Sequence, residues 1–133
     1  MDRMTKAVIG GYVRPLNYSV SVMFDMMDKY GNIQKALDVL QNDTRDSFDA
    51  VRWFAVKMAN DAELYFREAG YDPLPFVTDN DIPKTMAPID YADLRSAVVD
   101  AISAGYQRDV KDENEEVDIG LAELRAKKAM AGA

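Results

Sequence analysis

The chain has 133 residues, with 23 Asp and Glu against 16 Lys and Arg, a formal charge of −7, and neither histidine nor cysteine. That length suits one domain with one core, and a hydrophobic fraction of 48% is enough to fold it. The acidity opposes binding to nucleic acid or an anionic membrane. The missing residue types exclude Ser–His–Asp and Cys–His catalysis, disulfides and thiolate metal sites.

The N-terminus carries Arg3 and Lys6 before a short apolar run. Two glycines and Arg14 interrupt that run too early for a signal-peptide core. No stretch reaches the roughly 18 apolar residues of a membrane span. The two matches to the N-glycosylation pattern, at Asn17 and Asn42, are therefore read as cap and turn residues.

Ala7 to Leu16 predicts a small hairpin. Ala7, Val8 and Ile9 form one strand, Tyr12 to Leu16 the other, and Gly10-Gly11 the turn between them. The lysine and later glycine of a phosphate loop are absent, so the glycine pair reads as a plain turn. Pro15 confines its strand to an edge. A two-stranded ribbon is weak alone and is expected to lie on the helices.

Ser19 to Tyr30 predicts the first helix, with Val20, Met23, Phe24 and Met27 on its inner face and Gly31 as its stop. Met26 is expected to point partly away. Asn32 restarts a short helix through Gln41, with Ile33, Ala36, Leu37 and Leu40 inward. Thr44 to Gly70 is the long central helix. Phe48, Val51, Ala55, Met58, Ala62, Tyr65 and Ala69 form its stripe, and Trp53 and Phe54 lie outside it. A lone helix of about 25 residues is marginal in water, so the other elements are expected to pack on it.

Four prolines between Pro73 and Pro88 mark an irregular connector, with Thr78 placed to cap a short turn from Asp79. The last long helix starts at Pro88 or Asp90 and ends near Gly105. Its inner stripe is Tyr91, Leu94, Val98, Ala101, Ile102 and Gly105. Gln107 to Asp118 is mostly acidic and reads as a mobile linker; Ile119 to Met130 regains helix propensity. The expected architecture is mainly α: a compact domain of about four helices with an N-terminal hairpin over 1–106. A flexible acidic linker and short C-terminal helix follow over 107–133.

Candidate chemistry is sparse. The acidic run Asp112 to Asp118 has Val117 where a calcium loop needs glycine, so it reads as solvated linker and no metal is expected. The many carboxylates stand in no catalytic motif. The chain is expected to be no enzyme and to need no cofactor. Met23, Met26 and Met27 cluster on the first helix, and methionine adapts to irregular apolar partners. With Trp53 and Phe54 they are the candidate partner-binding residues, against a plain reading as core.

The run Arg14-Pro-Leu-Asn-Tyr-Ser-Val, then Met23-Phe24 and Lys29-Tyr30-Gly31, resembles the start of tail assembly chaperones of long-tailed bacteriophages and prophages. Trp53-Phe54, Ala59-Asn-Asp-Ala-Glu-Leu-Tyr65, Ala92-Asp-Leu-Arg-Ser-Ala-Val98 and Ile102-Ser-Ala-Gly-Tyr106 continue the likeness, as does Val117-Asp-Ile-Gly-Leu-Ala-Glu-Leu.

The resemblance implies a small, mainly helical, non-catalytic protein of the host cytoplasm. It would bind the aggregation-prone tape-measure protein, help tail-tube protein polymerise around it, and be absent from the finished virion. It also implies two forms in many members, the longer made by a frameshift. Ala126-Lys127-Lys128 can be encoded with a slippery A-AAA-AAG heptamer, or can be an ordinary basic helix end. Self-assembly into a homo-oligomer stays open. A small structural or tail-completion protein of a virion, and a helical regulator binding a host protein, are the alternatives.

Overall fold

The computed structural model describes residues 4–107. The order is β1 (Thr5–Ile9), β2 (Tyr12–Leu16), α1 (Val20–Tyr30), α2 (Ile33–Gln41), α3 (Arg45–Glu68) and α4 (Pro88–Gly105). One 3-10 turn, Asp79–Asp81, interrupts the connector between α3 and α4. The chain is thus mainly helical with an N-terminal hairpin. The acidic stretch after Gln107, the helix expected over 119–130 and the slippery-codon position lie outside the described residues.

The hairpin follows from its turn. Gly10 and Gly11 take φ values of 61° and 85°, a conformation that side-chain-bearing residues resist. The strands pair antiparallel with Val8 opposite Val13 and Ile9 opposite Tyr12. Ile9, Arg14 and Leu16 turn inward and are buried, whereas Val8 and Val13 face out. The hairpin lies across α3 and α4. The Thr5 hydroxyl donates to the Ala97 carbonyl at 2.8 Å, and the Asn17 N–H to that of Met58 at 3.1 Å.

Helix α3 is the axis of the fold and runs for about 36 Å at 1.5 Å per residue. Its start is capped by Thr44, whose hydroxyl accepts from the Ser47 N–H. Val51, Phe54, Ala55, Met58, Ala59 and Ala62 are all buried. Small residues at four of these turns or their neighbours (Ala50, Ala55, Ala59, Ala62) let β2 and the other helices approach α3 closely. Ser47 ties three helices together: it donates to or accepts from the Tyr91 hydroxyl at 3.0 Å and lies 3.0 Å from the Leu40 carbonyl.

The buried surface of α3 differs from the expected stripe at Phe48, Phe54, Tyr65 and Ala69, the last of which is exposed beyond the end of the helix. Phe54 is fully buried, stacked on Tyr30 with ring centres 5.8 Å apart. Tyr65 is exposed, because the returning connector packs on the Asn60–Glu63–Arg67 side of the helix and not on the tyrosine side. Phe48 is only half-buried, tilted against Tyr91. In α4 the expected stripe holds: Leu94, Val98, Ala101 and Ile102 are buried.

The connector is irregular but firmly held. The Asn60 amide pairs with Val77 as a strand would, donating to its carbonyl at 2.9 Å and accepting from its N–H at 2.7 Å. Glu63 accepts from the Leu74 N–H and from Arg67 Nε, both at 2.8 Å. Arg14 stands behind it, with Nη1 3.6 Å from Glu63 and Nη2 donating to the Pro75 carbonyl. Burial disfavours the ionised carboxylate, but the Arg67 and Leu74 hydrogen bonds and the Arg67 and Arg14 charges outweigh it. The Glu63 carboxyl is held below its ordinary value.

Candidate partner-binding surface

The surface begins with two locks that fix α1 on the body. Ser19 caps the helix, accepting from the Val22 N–H at 3.3 Å, and also donates to Asp61 of α3 at 3.0 Å. Asn17 donates to the other Asp61 oxygen at 2.7 Å. At the far end the Gly31 N–H donates to the Met27 carbonyl. Between them Asp25 pairs with Lys57 of α3 at 3.2 Å. The helix is therefore held to α3 at its start and middle, and Tyr30, stacked on Phe54, holds its end.

Its core side is Val22 and Met26, the latter 1% exposed. This corrects the expected inner face. Val20 is 64% exposed, Phe24 56% and Met27 44%, and Met23 is half-buried against the core. At 100° per residue, Val22 and Met26 mark the buried direction, and Met23 lies on its flank. Met27, Val20 and Phe24 continue the apolar arc outward from there. Ser21, Asp28 and Lys29 fill the opposite flank and are exposed. The helix is apolar over an arc wider than the core covers.

The five candidate residues separate accordingly. Met27 is accessible and Met23 partly so. Met26 and Phe54 face the core and present nothing to a partner, because α1 and α3 meet across them. Trp53 is half-buried. Its ring stands edge-on to Tyr30 and Phe54, at 5.7 and 5.0 Å, with Lys29 and Lys57 above it at 5.8 and 5.6 Å. It braces the α1–α3 contact and is roofed by two cations. The residues that the sequence placed inside, Val20 and Phe24, supply the exposed surface instead.

Near the start of α1 the stripe opens into a hollow of about 180 Å³ lined by Tyr18, Ser19, Val20, Met23, Gly105 and Tyr106. The Tyr18 and Tyr106 hydroxyls are 2.9 Å apart, and their rings 5.3 Å. Burial, and then the Tyr106 partner, push the Tyr18 phenol above its ordinary value. A Cβ at Gly105 would stand 2.7 Å from the Tyr18 ring and 2.8 Å from its carbonyl oxygen, so only glycine lets α4 come this close.

Two other apolar surfaces were not legible as sites in the sequence. Val8 and Val13 on the hairpin border a hollow of about 450 Å³ that also takes in Met86 and Leu94, with Asp90 and Asp93 on its rim. At the end of α3, Leu64, Tyr65, Tyr71 and Phe76 are exposed, and Phe66 stands edge-on to both tyrosines. Arg67 covers Phe76 at 4.1 Å. The alternation in β1 hints at the first; the second joins residues from a helix and an irregular segment, which no periodicity links.

Among the described residues no group of three or more Asp and Glu is arranged to hold a metal, and no helix is long and apolar enough to cross a membrane. The contacts the α1 stripe offers are apolar and shape-based. No family model, curated protein or solved structure matches the chain.

Proposed function

We propose that this protein is a non-catalytic tail assembly chaperone of a long-tailed phage or prophage, and that α1 receives an amphipathic helix of the tape-measure protein. The observation that carries the reading is the exposed arc of Val20, Phe24 and Met27 on a helix whose other face is locked to the core. Helical partners are read as anchors at i, i+3, i+4 and i+7, and Val20, Met23, Phe24 and Met27 offer that register. Methionine and an unbranched aromatic adapt to many apolar sequences, which a chaperone of a long, aggregation-prone client needs. The family resemblance supplies the client's identity.

Exposed Val, Phe and Met at these fractions amount to an apolar patch on the order of 300 Å², since a whole aromatic side chain buries about 150–250 Å². That is about half of the roughly 600 Å² per partner that the smallest stable interfaces bury, so binding here is reversible unless the client wraps further. Release is what an assembly factor requires. In this reading the tail-tube protein is recruited to the same complex in the host cytoplasm, and the chaperone leaves before the virion is complete.

The test is co-expression with the cognate tape-measure protein, followed by gel filtration. The parent chain is expected to raise the soluble yield and to co-elute. Phe24→Glu with Met27→Glu is expected to abolish co-elution while leaving the urea midpoint unchanged. An equally soluble client without the chaperone, or retention of this protein in purified virions at structural copy number, would reject the reading.

A further inference from the structure

The same stripe has a candidate occupant within the chain. We propose that the segment Val117 to Leu124 docks on the exposed arc of α1 when no partner is present. Val117, Leu121 and Leu124 are spaced four and three residues apart, the same spacing as Val20, Phe24 and Met27. Each set fits one stripe of a helix, so the two present matching apolar rows. The segment begins at the end of the acidic run Asp112 to Asp118 and carries the only leucines after Tyr106.

Connectivity favours this surface over the hairpin hollow. Helix α4 delivers the chain to Gly105 and Tyr106, and both residues line the hollow into which Val20 and Met23 also project. The Tyr18–Tyr106 hydroxyl pair pins this exit at the start of α1. From there the stripe extends only about 10 Å, from Val20 to Met27, at 1.5 Å per residue. The intervening stretch 107–116, about ten residues, can span up to roughly 33–36 Å. The hairpin hollow meets α4 at Asp90, Asp93 and Leu94, about 17–23 Å back along the helix from Gly105 at 1.5 Å per residue. Reaching it would consume about half to two-thirds of that span, against about a third for the stripe.

A tethered segment acts at an effective concentration near the millimolar range, so even weak apolar contacts keep the stripe covered much of the time. A client helix must displace it. The arrangement shields Phe24 and Met27 from self-association and makes client binding a competition. It does not depend on which protein the client is.

The absence of cysteine and the placement of methionine make the full chain testable as it stands. Ala122→Cys carries a spin label, and the methionine methyl groups are isotope-labelled. The Met23 and Met27 signals are expected to broaden at least about twofold more than those of Met86, as a tethered segment at such concentration requires. Met86 marks the far end of α4. Adding Leu121→Asp and Leu124→Asp should remove the effect. Equal broadening of all exposed methyl groups, or selective broadening of Met86, would overturn the proposal. So would broadening in a mixture where label and isotope sit on different copies, since that assigns the stripe to a second chain.

Discussion

Met26 and Phe24 lie two residues apart on α1, and truncating each to alanine should have opposite consequences. Met26 is 1% exposed and packed between α1 and the core. Removing its side chain leaves a cavity and costs about 2–5 kcal/mol, as for other buried large-to-alanine changes. For a domain of this size that corresponds to a fall in Tm of roughly 8–20 °C. Phe24 is 56% exposed and contributes little to the folded state, so Phe24→Ala should stay within about 0.5 kcal/mol of the parent. Client binding should show the reverse order, with Phe24→Ala weakened and the residual folded Met26→Ala close to parent. Urea melts followed by Trp53 fluorescence report the first comparison directly. The single tryptophan is packed edge-on to Tyr30 at the end of α1, so it senses this helix. If Phe24→Ala loses more than 2 kcal/mol while Met26→Ala loses almost nothing, the orientation of α1 described above is wrong.

Glu63→Gln should destabilise the fold by about 3–5 kcal/mol at pH 7, because Arg14 is left buried with its charge unpaired. The folded-state carboxyl is held below its ordinary value near 4.5, so its contribution is fully present above that pH and fades as pH falls below it. Parent and variant urea midpoints should therefore converge only on the acid side; a gap that persists unchanged to pH 2 would contradict the assignment. Gly105→Ala should lower the urea midpoint, by about 1–3 kcal/mol, despite alanine's better helix propensity. The added methyl meets the Tyr18 carbonyl, which is backbone and cannot swing aside; a stabilised variant would show that α4 and Tyr18 are further apart.

Local signals were sufficient for most of the secondary structure. Gly10-Gly11 makes the hairpin turn because only a residue without Cβ takes two successive positive φ values cheaply. Ser19, Asn32 and Thr44 each cap a helix with their own side chains, a contact made within three residues. The α4 stripe was legible because its large apolar residues Leu94, Val98 and Ile102 recur every four residues, although Ile89 and Val99 fall outside it. Helix α1 is different. Its apolar residues cover more than half of its circumference, and the richer row, Val20, Met23, Phe24 and Met27, is the natural choice from sequence. A core and a docking surface are made of the same residue types at the same spacing, so periodicity cannot tell them apart. The decision came from the anchors on α1: Ser19 and Asn17 on Asp61, and Asp25 on Lys57, turn Val22 and Met26 inward. The buried Arg14–Glu63 contact joins residues 49 positions apart in the chain. Such a pair has no sequence signature, because it exists only once β2 lies on α3 and the connector closes over both.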